Sequence, residues 1–178
     1  MDNIKPYLQY LFTRLFIALF FVILGVRIIE SIFGPITFYL SYYTLKYYNP
    51  VLISSTSFII NDIKLNFIPA CIASGAYLLL IILTLTTEMS FKKATKIIAQ
   101  GFLIILIANL IRIDLLIILL VNNYSDLFNT LHLLIWKFIS TIFVVLLWIF
   151  LTKINKINNI PIYSDYKKIL GIVKESKR

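Results

Sequence analysis

Residues 97–121 read IIAQGFLIILIANLIRIDLLIILLV. This run is longer than the roughly 20 apolar residues a helix needs to cross bilayer hydrocarbon. It contains no proline, and its only charges are Arg112 and Asp114. A backbone in lipid must satisfy its own N–H and C=O groups, and a run of this length does so as a helix. The stretch therefore predicts a membrane-spanning helix with a buried arginine and aspartate near its second end.

Working outward, the same pattern recurs. Residues 8–29, 69–87 and 131–152 are further apolar runs of spanning length, and with 97–121 they predict an all-α integral membrane bundle of about four transmembrane helices. The whole chain, residues 1–178, reads as a single transmembrane domain, with 153–178 as a basic cytoplasmic tail. The composition agrees: 60% of the 178 residues are hydrophobic and 14% are charged, which excludes an ordinary water-soluble surface. The run 8–29 is too long for the core of a signal peptide and has no small-residue cleavage site, so it reads as a retained span. Arg14 and Arg27, near its ends, are placed to snorkel.

The net charge of +9 belongs to topology. Lys92, Lys93 and Lys96, and the tail lysines from Lys153 onward, flank apolar runs, which is the pattern of cytoplasmic loops and anionic headgroup attraction. Nucleic acid is not an expected partner; membrane lipids are. An even number of spans puts both termini in the cytoplasm and leaves residues 30–68 and 122–130 outside. Phe33, Phe38, Tyr39, Tyr42, Tyr43, Tyr47 and Tyr48 mark 32–48 as an interfacial or re-entrant helix, or as a fifth span. Beyond Pro50, Ile63, Leu65 and Phe67 alternate with Lys64 and Asn66, and Asn61-Asp62 is a turn signal, so a small extracytoplasmic hairpin is expected.

Depth along these spans brings three chemically distinctive side chains to the outer face. Cys71 is placed in the first turn of the second span and His132 in the first turn of the fourth. Arg112 lies about 13 Å along the axis from the outer end of the third, with a side chain long enough to reach upward. Each also has a plainer reading. A lone membrane cysteine serves as small apolar filler, and a histidine at a helix entrance sits at the interface. An intramembrane arginine costs about 2.5 to 3.5 kcal/mol on insertion scales and is a functional candidate by default, although a structural pair with Asp114 or Asp126 is open to it. Asp114 projects from nearly the opposite helix face, so it is a poor partner. Asn109 shares the face of Arg112 and is expected either to orient it or to cap a helix-helix contact. Ser74 and Gly75 give the helix face of Cys71 small residues that would allow a close backbone approach. Lys137 reads as a snorkelling cation and Trp136 as an anchor. With one cysteine there is no disulfide framework, and neither a metal site nor a cofactor site is expected.

Together the thiol, imidazole and guanidinium are the parts of a thiol acyl-transfer site. The imidazole takes the thiol proton, the thiolate is the nucleophile, and the guanidinium stabilises the thiolate or the oxyanion of a tetrahedral intermediate. At these residues the sequence resembles the exosortase and archaeosortase family of membrane cysteine transpeptidases, as one of its small members. The resemblance rests on Cys71 opening a span after the extended stretch 61–70, on Asn109-Leu110-Ile111-Arg112-Ile113 in the next span, and on His132 opening the last. It covers about residues 61–151. The family often has a small or hydroxyl residue and then glycine directly after the cysteine, where this chain has Ile72 and Ala73, followed by Ser74 and Gly75.

The resemblance implies catalytic roles for Cys71, Arg112 and His132. It also implies a partner: an exported protein with a C-terminal recognition motif, one transmembrane helix and a basic tail. Such a substrate would be cleaved near the outer membrane face and its acyl group passed to a lipid or another acceptor nucleophile. The contrasting reading is a non-catalytic membrane protein, a transporter component or assembly partner, in which Arg112 is a structural charge. Hydrolysis in place of transfer is a further alternative.

Overall fold

A computed structural model describes residues 4–134, 139–159 and 163–175. The chain is mostly helical. Its order is α1 (Ile4–Thr44), a 3-10 turn over Leu45–Tyr48, strands β1 (Val51–Ser54), β2 (Ser57–Ile60) and β3 (Ile63–Asn66), a second 3-10 turn over Pro69–Ile72, and then α2 (Ser74–Leu85), α3 (Phe91–Val121), α4 (Ser125–Leu134), α5 (Ser140–Ile154) and α6 (Tyr163–Glu175).

Two described helices, α1 and α3, are long and apolar enough to cross a membrane. Helix α3 contains the whole run 97–121 and starts earlier, taking up Lys92, Lys93 and Lys96. Helix α1 differs from expectation. It does not stop near Ile29 but continues through Pro35 to Thr44, a length of about 60 Å at helical rise, so the separate helix expected over 32–48 is the second half of α1. Proline removes one helical hydrogen bond, and apolar neighbours packed on both sides of the break can hold the helix together. Its aromatics divide by face. Phe38 is buried against Phe58 and Phe67, while Tyr39, Tyr43 and Tyr47 point outward.

The run 69–87 is not one helix, and 131–152 is described only in part. The first becomes the Pro69–Ile72 turn, a left-handed residue at Ala73 (φ 57°) and the 12-residue α2. The second falls on α4 and α5, with 135–138, including Trp136 and Lys137, outside the described residues. Helix α2 measures about 18 Å, short of the ~30 Å hydrocarbon thickness when taken alone.

The expected hairpin is present and is one strand larger. β1, β2 and β3 form an antiparallel meander in which Ile60 faces Ile63 across Asn61-Asp62. Both turn residues have positive φ, 47° and 64°, the conformation of a two-residue turn whose twist matches the strands and which Asn and Asp tolerate. The central strand is buried, with Phe58 and Ile60 packed on Phe38, Leu45, Ile113 and Ile117.

A larger apolar core ties α1, α2, α3 and α5 together through Ile29, Tyr77, Leu80, Ile105, Val144 and Leu147. The Tyr77 ring stacks on Phe33 at 4.4 Å and meets Phe102 edge-on at 5.0 Å. Gly101 makes the close helix approach here: a Cβ at that position would collide with the Leu80 side chain. At Gly75, where the small residues suggested such an approach, a Cβ would meet nothing within 4 Å. Outside the core, Phe12, Phe16, Ile111 and Leu146 are each more than half exposed, an apolar exterior that matches lipid.

Candidate functional site

The site forms where the sheet, the Pro69–Ile72 turn, α3 and α4 meet. Pro69 opens the 3-10 turn, Cys71 N–H donates to Ile68 O at 2.8 Å, and the left-handed Ala73 stops the turn before α2 starts. The thiol therefore sits on a short separate turn and not on the first turn of α2, and the small residues Ser74 and Gly75 do not share its face. Ser74 instead donates to Glu30 of α1 at 3.2 Å.

Because the turn ends so abruptly, its last carbonyls lack helical partners, and such groups need donors when buried. They come from α3. Asn109 Nδ2 donates to Cys71 O at 2.8 Å, and one Arg112 nitrogen lies 3.3 Å from Cys71 O and 3.4 Å from Ala70 O. Asn109 and Arg112 stand three residues apart on one helical face, and both fasten the backbone of the nucleophile candidate. Among the described residues no hydrogen bond joins Asn109 to Arg112 directly. Both act on the same carbonyl.

Asp114 faces the other way. Its carboxylate accepts from Ser41 at 2.7 Å and Thr44 at 2.6 Å, joining α3 to the second half of α1. Among the described residues Arg112 has no carboxylate partner, and its Nε is buried without an acceptor.

Cys71, Arg112 and His132 line a single cavity of about 110 Å³ with Asn66, Phe67 and Phe128. Cys71 is half-buried and His132 is exposed. The imidazole stacks on Phe128 with ring centres 5.6 Å apart. It lies two turns into α4, which starts at Ser125, and not in a first helical turn. Three side chains from separate elements are thus brought to one cavity. The thiol and the imidazole share it without a hydrogen bond between them among the described residues. Catalytic hydrogen bonds are often loose before substrate is bound. Arg112 and Asn109 also line a second, mainly apolar cavity of about 310 Å³ with Ala73, Ala76 and Phe143. Asn109 Oδ1 is buried there without a donor.

A second polar cluster, not anticipated from sequence, lies at the opposite end of the bundle. Arg14 does not snorkel. It is buried, pairs with Asp165 of α6 at 2.5 Å and donates to Thr86 O at 3.2 Å. Tyr7 donates to the other Asp165 oxygen at 2.6 Å. The available signal was an acid isolated in a basic tail.

A cysteine and a histidine lining one cavity, with a guanidinium fixed beside the cysteine's carbonyl, can support attack on an acyl carbon. Among the described residues no group of His, Cys, Asp and Glu has the geometry to hold a metal ion. No family model, curated protein or solved structure matches the chain.

Proposed function

We propose that this chain is a membrane-embedded cysteine transpeptidase of the exosortase and archaeosortase type, acting on exported proteins that end in a sorting tail. The observation that carries the reading is the single cavity lined by Cys71, Arg112 and His132. The residue-by-residue pattern adds support. The position where the family often has glycine after the cysteine falls on Ala73, whose φ of 57° is a conformation glycine adopts without strain.

In the proposed arrangement α1 and α3 cross the membrane, and the stretches holding α2 and α4–α5 supply two further crossings. Both termini are cytoplasmic and the sheet lies outside. Cys71 passes its proton to His132, and the thiolate attacks the substrate carbonyl carbon. A C–S bond forms as the peptide C–N bond breaks, and the departing amine takes the proton from the imidazolium. An amine or hydroxyl of the acceptor, a lipid or another nucleophile, then attacks the thioester. The C–S bond breaks and the acceptor's proton returns through His132 to the sulfur. Arg112 holds the Cys71 backbone in place and supplies positive charge beside the transient anions.

Co-expression with a tailed substrate tests this. Wild type releases the tail, and Cys71→Ala leaves it attached; full processing by Cys71→Ala would sink the proposal. A non-catalytic reading has one observation of its own, that among the described residues Arg112 bonds only backbone carbonyls, as a structural bridge would. A membrane-impermeant thiol reagent separates the two. Substrate shields Cys71 in the transpeptidase and leaves its labelling unchanged in a structural protein.

A further inference from the structure

We infer that α6 is a surface-lying helix that binds an anionic lipid surface through an apolar stripe flanked by lysine. The inference rests on the membrane reading of α1 and is independent of the thiol chemistry.

Helix α6 is tied to the bundle through Asp165. Asp165 is almost fully buried and is held by Arg14 and by Tyr7 of α1. On another face of the same helix, Tyr163, Tyr166 and Leu170 stand at i, i+3 and i+7, the spacing of one helical stripe. They are 58%, 60% and 41% exposed. A soluble helix packed on a bundle turns such a stripe inward. Here the inward face carries a carboxylate, with half-buried Ile169 one turn on, and the stripe of Tyr163, Tyr166 and Leu170 is left exposed.

Three observations specify what covers it. The anchor lies beside the first turns of α1, where the exposed apolar belt of Phe12 and Phe16 starts, so the stripe is at the level where hydrocarbon meets headgroups. Two of its three members are tyrosines, whose amphipathic rings favour that boundary. The charge around it is positive. Lys167 is exposed on α6, and Lys92, Lys93, Lys96 and Lys153 are exposed at the neighbouring ends of α3 and α5. The Lys93 ammonium lies 3.4 Å from Lys156 O, which brings those two ends together. Of the acids at this end, Asp165 is paired with Arg14, and Glu88 lies near enough to Tyr7 to act on it. Apolar burial combined with lysine attraction to anionic headgroups is how amphipathic helices hold a membrane surface. The Arg14–Asp165 pair fixes which face of α6 meets it.

The test uses the full chain in a Cys71→Ala background carrying Tyr166→Cys, Leu170→Cys or Lys167→Cys, labelled with an environment-sensitive fluorophore. The protein is reconstituted in vesicles of phosphatidylcholine with or without phosphatidylglycerol. At positions 166 and 170 the expected result is blue-shifted emission, quenching by spin-labelled lipid and several-fold weaker quenching by aqueous iodide than at position 167. The difference should grow with phosphatidylglycerol and shrink in high salt. Equal iodide quenching at all three positions would overturn the inference, and so would shielding that is the same in neutral vesicles. Protein that fails to float with vesicles at all would instead bring down the membrane reading beneath it.

Discussion

Arg14 and Arg112 lie toward opposite ends of the bundle, the first buried and the second half-buried, and they are satisfied in opposite ways. Arg14 meets a carboxylate: Asp165 lies 2.5 Å away, and both side chains are nearly inaccessible. Among the described residues Arg112 meets only the carbonyl oxygens of Ala70 and Cys71, at 3.4 and 3.3 Å. The first pair is close to neutral and ties a terminal helix to α1. The second leaves positive charge directed at the turn that carries the chain's single thiol. Burying an ion costs several kcal/mol unless a counter-ion or good hydrogen bonds offset it. An arginine left with carbonyls alone is where a site rather than a scaffold is expected.

The largest expected effect is at the nucleophile. Cys71→Ala abolishes tail release, and quantitative immunoblotting of a co-expressed substrate reads it. Arg112→Met comes next. Losing the guanidinium lowers processing by about 100-fold or more, the scale of removing one oxyanion donor, while the protein still extracts and purifies as a folded species. If Arg112→Met unfolds the protein and Asp165→Asn does not, the roles assigned to the two arginines are reversed.

Asp165→Asn should act on stability. It leaves Arg14 buried without its counter-ion, at a cost of about 3 to 5 kcal/mol, read as a lower detergent unfolding midpoint and faster hydrogen exchange in α6. Processing by the molecules that remain folded should hold. The pair Arg14→Met with Asp165→Leu should recover much of that loss, because a buried ion pair replaced by packed apolar groups is often neutral or better.

Smaller effects sharpen the same contrast around Arg112. Gly101→Ala forces a Cβ against Leu80 and should cost about 1 to 3 kcal/mol. Gly75→Ala meets open space and should stay within about 0.5 kcal/mol. Ala73→Gly should stabilise by about 1 kcal/mol, because it removes the left-handed strain of an L-residue at φ 57°. Thermal unfolding of the three variants side by side checks the order.

The long apolar helix α3 was legible in sequence because length and hydropathy alone determine it. The Asn61-Asp62 turn was legible because those residue types tolerate positive φ. The join inside α1 was not. Pro35 and a run of aromatics signal an end, and only packing against the sheet and α3 carries the helix past them. The break at Ala73 was hidden for the opposite reason, since alanine is the strongest helix former and nothing local marks it as left-handed. Cys71, Arg112 and His132 line one cavity, although neither Cys71 nor His132 occupies the first helical turn from which their depth was read. That Asn109 and Arg112 grip the same carbonyl could not follow, because it depends on the turn stopping two residues after the cysteine. The pairing of Arg14 with Asp165 is a contact between the two ends of the chain, and the basic character of the tail concealed it.

The account turns on whether a substrate acyl group ever resides on the sulfur of Cys71. Mass spectrometry of the protein isolated with a tailed substrate reads this directly. The prediction is a substrate fragment attached at Cys71 as a thioester, released by hydroxylamine and missing from Cys71→Ala. Tail release with no hydroxylamine-sensitive adduct, at a rate that Cys71→Ala matches, would contradict it.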